Sequence, residues 1–190
     1  MSLLRYISHP EVVIDPDVPV PEWPLTAHGR RRVVALLDQP WIGSIDRIAT
    51  SAEIKAIETA TIFGEHPGLA PEVRPATGEV DRRCTGYVTH ERHEQLADAL
   101  FARPGESAGG WEQAIDVQQR VTDALADVLV DGGGGDVAVV GHGGAGTLVW
   151  CHLAGQPIDR RLDQPGPGHY FTFDRSAVHP WRPIDRIEAG

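Results

Sequence analysis

At 190 residues the chain fits one globular domain spanning positions 1–190, long enough to bury roughly two-thirds of the surface its unfolded form exposes. Its 41% hydrophobic and 23% charged content is ordinary for a soluble protein, and no apolar run reaches the roughly 20 residues of a membrane-spanning helix, so a membrane is excluded as a partner. Seventeen basic against 27 acidic residues, a formal charge of -10, exclude nucleic acid and anionic lipid by repulsion, so any phosphate bound must meet a local positive pocket.

Residues 3–7 are a short apolar, β-prone run that stops at Ser8-His9-Pro10, because proline cannot continue a strand ladder. His9 is therefore expected at a strand's carboxyl end. Residues 15–24 are rich in proline and read as an extended loop. Thr26 then caps a predicted helix whose Val33, Val34, Leu36 and Leu37 sit at helical spacing. Residues 45–50 form a second predicted strand. Ser51 reads as the N-cap of a helix through about Phe63, closed by Gly64 and Pro67, with Lys55 about one turn in.

Residues 71–75 suit a short strand and 78–83 a polar loop. Thr89 caps a predicted helix to Phe101, and a longer amphipathic helix is expected from Trp111 or Glu112 to Val130. The glycine-rich stretch 131–136 is a turn, 137–140 a buried strand, and Gly141-His142-Gly143-Gly144 opens a helix through Leu153. Residues 170–173 and 179–184 are expected to close the sheet as antiparallel edges. Strands alternating with helices predict a layered α/β fold, in which ligands collect beyond the carboxyl ends of the strands.

Two histidines, His9 and His142, thus each follow an apolar strand directly, and the fold rule puts both on one rim. A lone histidine at a strand end is more often structural than catalytic; two at one rim, one beside a glycine-rich helix start, favour chemistry. A neutral imidazole nitrogen is a competent nucleophile toward phosphorus, and a second, protonated one supplies charge and a donor to the equatorial oxygens. The helix opening at Gly143 adds backbone N–H groups and the positive end of its dipole. Lys55 is either a third cationic contact or an ordinary exposed lysine.

Four blocks, Ser8-His9-Pro10-Glu11, Pro24 to Arg30 (P-L-T-A-H-G-R), Thr50 to Ala60 (T-S-A-E-I-K-A-I-E-T-A) and Gly141-His142-Gly143-Gly144, resemble in order the signatures of the histidine phosphatase superfamily, the phosphoglycerate mutase-like proteins. The resemblance spans nearly the whole chain. It implies a three-layer α/β/α domain with a mostly parallel central sheet, a phosphohistidine intermediate on His9 and a general acid in mid-chain. Glu79 stands where the family tends to carry that acid, with Asp81 as the alternative. The role needs a carboxyl group that protonates the leaving oxygen and then deprotonates the attacking water.

The sequence also departs from the family, which usually has arginine where this chain has Ser8 and Lys55. Arginine grips two phosphate oxygens with a planar fork, whereas serine offers one neutral hydroxyl and lysine a point charge. Losing one such donor typically costs about 3 to 4 kcal/mol of transition-state stabilisation. Arg82, Arg83 or Arg5 are the residues at hand to replace it.

Competing signals are weaker. Gly141 to Gly146 also fits G-x-G-x-x-G, but only some 45 residues rich in proline and glycine follow, too few for a βαβ series; Asp163, at the distance where such sites carry an acid, falls in a loop. His90 and His93 have a spacing usable for zinc on a helix, yet no third ligand stands out. His152 reads as packing or surface and His28 as part of a helix start. The tryptophans read as packing, although Trp23 in the proline-rich loop is placed to line a pocket. Cys84 and Cys151 form no C-x-x-C pair, and no basic-then-apolar leader is visible, so a reducing cytoplasm is the expected compartment.

Together these readings predict a cytoplasmic phosphatase, with a mutase second, acting on a small phosphomonoester without cofactor or metal. His9 is the nucleophile and Glu79 the acid and base; His142, Gly143, Lys55 and Ser8 hold the phosphoryl oxygens. The alternative is a module on the same fold that binds phosphate or a phosphoprotein without turnover.

Overall fold

A computed structural model describes residues 3–130, 135–174 and 176–188; most of the predicted glycine-rich turn lies outside them. Among the described residues the strands are β1 (Leu4–Ser8), β2 (Ile45–Thr50), β3 (Glu72–Val73), β4 (Asp136–Gly141), β5 (His169–Phe173) and β6 (Arg182–Pro183). The helices are α1 (Ala27–Leu36), α2 (Ile54–Glu65), α3 (His90–Ala102), α4 (Ala114–Val130) and α5 (Gly143–Leu153). One sheet runs in the order β3-β2-β4-β1-β5-β6. The first four of these strands are parallel, β5 is antiparallel to β1, and β6 is antiparallel to β5.

Alternation along the strands divides the core. Leu4, Tyr6, Val137, Val139 and Phe171 face one way, onto α3, α4 and α5. Ile7, Ala138, Val140, Ile48 and Tyr170 face the other, onto α1 and α2. Because side chains in a strand alternate with period two, each central strand supplies both cores, and the result is a three-layer α/β/α fold. In α4, Ala114, Val117, Val121, Leu125 and Val128 recur three or four residues apart and are all buried. Each buried valine or leucine contributes about 1.5–3 kcal/mol. Among the described residues no helix is long and apolar enough to cross a membrane.

The differences from the sequence reading are local. Ser51 is not the N-cap of α2; Glu53 is, because the Ser51 hydroxyl is engaged by His142. Lys55 consequently falls in the first turn. Gly64 lies inside α2, where a Cβ would come within 2.3 Å of the Leu69 carbonyl oxygen; its role is close packing, and the helix runs on to Glu65. α4 starts at Ala114, since Trp111 is held in the preceding loop by the Ala108 carbonyl and by Thr85. β5 is not an edge: it sits between β1 and β6. Of the predicted last strand, Arg182 and Pro183 form a ladder with it, and the His179 N–H adds one bond to the Thr172 carbonyl at 2.8 Å.

Candidate active site

The parallel pairing sets the site. Ser8 is in register with Gly141, and Thr50 with Val140, so the residues that follow β1, β2 and β4 emerge side by side at one rim. The His9 N–H continues the ladder to the Gly141 carbonyl at 3.1 Å, and the Ser51 N–H does so to Val140 at 3.2 Å. The His9 and His142 rings meet edge to face, with centroids 5.3 Å apart. Two imidazoles separated by more than a hundred positions thus converge.

His9 Nδ1 lies 2.8 Å from the Pro10 carbonyl oxygen. A carbonyl only accepts, so Nδ1 carries the proton and Nε2 keeps its lone pair. Burial, reinforced by His142, pushes the pKa of His9 down to about 3, which keeps the ring neutral at physiological pH.

His142 is the N-cap of α5 and is fully buried. Its Nε2 lies 2.7 Å from Ser51 Oγ and 3.3 Å from Glu53 Oε1, while its Nδ1 has no partner. Tyr6 fixes the backbone of His142: the phenol accepts from its N–H at 3.1 Å and donates to its carbonyl at 3.2 Å. A Cβ on Gly141 or Gly146 would lie 2.3 Å or 2.5 Å from the Tyr6 side chain, so the G-x-x-x-x-G spacing serves packing of this phenol against α5. Burial lowers the pKa of His142.

Two carboxylates complete the pocket. Glu79 Oε1 accepts from the Ala145 N–H at 2.8 Å and Oε2 from the Gly144 N–H at 3.1 Å. Burial would raise its pKa, but His142, Arg82 and the Val80 N–H outweigh that and hold it below the usual carboxylate range. Glu53 bridges His142 and Lys55, whose Nζ is 2.5 Å from Glu53 Oε2 and donates to the Val20 carbonyl at 2.7 Å. Burial would raise Glu53 as well; the charges of His142 and Lys55 bring it to about 2.

His9, Glu79 and Gly143 line one cavity of about 460 Å³, together with Arg82, His93, Arg160 and Gln164. Lys55 and Ser8 do not line it, and neither does the fully buried His142, whose ring meets that of His9. Lys55 is 3% exposed and paired with Glu53, which in turn contacts His142. Ser8 is fully buried; its hydroxyl lies 2.5 Å from Gln164 Oε1 and accepts from the His169 N–H at 3.0 Å. Neither of these two predicted phosphate contacts is thus among the residues lining the cavity.

Asp81 turns outward to Arg83 and lies outside the cavity. Of the three arginines able to replace a missing one, Arg5 is paired with Asp136 at the far end of β1 and Arg83 with Asp81; Arg82 alone lines the cavity. His93, weighed as a zinc ligand, has its ring nitrogens against Arg82 and Glu94. Trp23 is buried and lines a neighbouring groove with Tyr87. Cys84 and Cys151 are both free. Sequence reasoning missed Glu53, Tyr6 and Gln164. An acid two places before Lys55 was a usable signal for Glu53, whereas Gln164 sits in a proline- and glycine-rich loop that gives none.

Comparison with known proteins bears on the fold and the family. No curated protein matches the chain by sequence. Its fold is shared by a mycobacterial glucosyl-3-phosphoglycerate phosphatase, 20% identical over 96% of each chain with a TM-score of 0.77. It is shared too by a phosphoserine phosphatase from Entamoeba histolytica, 16% identical over 95% of this chain and 96% of that one, also with a TM-score of 0.77. YhfR from Bacillus stearothermophilus is similar at 20% identity over 95% of each chain, with the same TM-score. Residues 18–169 match the histidine phosphatase superfamily, branch 1. That span covers most of the chain, including Glu53, Glu79 and His142 though not His9, and the chain belongs to the histidine phosphatase superfamily.

Proposed function

We propose that the chain, as one domain, hydrolyses a small phosphomonoester through a phosphohistidine intermediate on His9. The observation that carries the reading is the Nδ1–H to Pro10 hydrogen bond, which leaves His9 Nε2 unprotonated beside His142. Nε2 attacks phosphorus, the bond from phosphorus to the ester oxygen breaks, and the departing alcohol takes its proton through Glu79, a carboxylate in the free pocket that receives this proton from the bound phosphoester monoanion. The Glu79 carboxylate then takes a proton from water as that water attacks phosphorus, the N–P bond breaks, and inorganic phosphate leaves. His142 Nδ1, buried without a partner, donates to the phosphoryl oxygens, and the Glu53 carboxylate balances the imidazolium formed there. Gly143 lets the phosphoryl group approach the start of α5.

A second reading, a module that binds phosphate without turnover, is favoured by one feature: Glu53 absorbs the charge of Lys55, which leaves less cation for the transition state. Free thiols at Cys84 and Cys151 support placement in the cytoplasm. Assay of an aryl phosphate with and without chelator, beside His9→Ala, separates the readings. The hydrolase reading expects turnover that survives the chelator and falls at least about 10³-fold in the variant. Phosphate binding with no turnover by the native chain would establish the module.

A further inference from the structure

The cations around the cavity are unequal. Arg160 is paired with Glu94 and Asp98, and just outside the cavity Arg120 is paired with Glu112 and Lys55 with Glu53. Arg82 differs. Its polar partner is the neutral side of an imidazole, His93 Nε2 at 2.5 Å, and its guanidinium lies 5.7 Å from the centroid of the Trp111 ring. Burial and the charge of Arg82 both lower the pKa of His93, so this contact joins a cation to an uncharged acceptor. Among the described residues no carboxylate forms an ion pair with Arg82. Its charge acts on the Glu79 carboxylate from a distance, which leaves its fork free of a carboxylate partner in a protein of net charge -10.

The opposite wall presents a neutral donor. Ser8 Oγ holds Gln164 by its Oε1. A Cβ built on Gly143 would lie 2.2 Å from Gln164 Nε2, so the amide nitrogen rests over the first residue of α5, beside His9 and Glu79 in the same cavity. With the Ser8 proton directed to Gln164 Oε1, the shorter contact, rather than to the His169 carbonyl at 3.1 Å, the carboxamide turns its Nε2 to the cavity.

We propose that Arg82 and Gln164 are the oxyanion-binding side chains of this pocket: Arg82 leaves His93 to grip two oxygens of a phosphoryl dianion, and Gln164 Nε2 donates from the other side. Exchange of a neutral acceptor for a dianion strengthens the arginine's hydrogen bonds, and its planar fork suits two oxygens at once. The ligand class follows: a phosphate monoester, whose dianion has three free oxygens, two for Arg82 and one for Gln164. A phosphodiester lacks the second charge and binds poorly.

The proposal deepens the phosphatase reading but is tested apart from it, by titrating inorganic phosphate calorimetrically, which requires no turnover. Arg82→Met is expected to weaken phosphate about 10- to 100-fold, and Gln164→Leu about 5- to 10-fold. Arg83→Met, on an exposed arginine already paired with Asp81, leaves the affinity unchanged. Millimolar methylguanidinium is expected to restore part of the loss in Arg82→Ala, which a merely structural role would not permit. Phosphate binding by Arg82→Met equal to that of the native chain overturns the proposal, even if turnover proceeds through His9. Weakened binding in a chain with no turnover supports the subsite and removes only the hydrolase reading. Should Arg82→Met fail to fold, Arg82→Lys keeps the charge without the fork and is expected to weaken phosphate about 10-fold; native affinity there overturns the proposal.

Discussion

His9 depends on a single atom. The Pro10 carbonyl accepts from the Nδ1–H, and burial beside His142 keeps a second proton off the ring, with a pKa of about 3. An unperturbed imidazole titrates near 6.5 and is half protonated there, which would remove the nucleophile from half the molecules. NMR titration of the ring C–H signals is expected to show His9 unchanged between pH 8 and pH 5. A midpoint near the unperturbed value would mean that the ring is solvated and the pocket more open than described. His142 is held by different means, from Tyr6 on its backbone and from Ser51 and Glu53 on its ring, so its Nδ1 has one direction left to bond.

At the scale of elements, the turn from β4 into α5 bears the greatest constraint. Tyr6 stacks on Phe171 with ring centroids 5.3 Å apart, and Trp181 stands edge-on to both. The phenol cannot yield, and a Cβ at Gly146 would lie 2.5 Å from it and 2.9 Å from Trp181. Gly146→Ala gains helix propensity but forces this cluster apart, at a net cost of about 1–3 kcal/mol. Thermal unfolding of that variant beside Gly43→Ala, where nothing lies within 4 Å of the added carbon, measures the difference; equal midpoints would show that the cluster relaxes freely.

Elements of this kind were the legible part of the sequence. Alternation and capping located β2 and α5 to the residue, because β2 is bounded by a strong turn signal and α5 by glycine after a valine-rich strand. Ser51 misled because a serine before a helix offers the same hydroxyl to a cap or to a distant ring. The choice is made by His142, ninety-one positions away. His9 and His142 were singled out by local pattern, as histidines directly after apolar strands, whereas Glu79 came only from the family resemblance. The Ser8–Gln164 pair could be read from neither, since it joins a strand to a loop with no periodicity, 156 positions apart.

For the whole molecule, acid is the natural stress. His9 and His142 have folded pKa values below the unfolded one. Between about pH 6.5 and the folded values the unfolded chain therefore binds protons that the folded chain refuses, and stability falls as pH falls, by up to about 1.4 kcal/mol per pH unit for each ring. Glu53 and Glu79, with depressed values, contribute stability that is present above the ordinary carboxylate range and lost below it, toward about pH 2 for Glu53. Urea midpoints are expected to decline in two stages, the first starting near pH 6.5. A flat profile down to the carboxylate range would contradict the burial of the two rings.

All of this chemistry rests on a covalent bond between His9 Nε2 and phosphorus. Alkaline quench of the native chain during turnover of a phosphomonoester, followed by mass spectrometry of its peptides, tests for that bond directly. The account predicts an acid-labile phosphoryl group on the peptide carrying His9, formed and lost at the rate of turnover and absent in His9→Ala. Steady hydrolysis with His9 unmodified throughout, or a phosphoryl group carried by another residue, would contradict it.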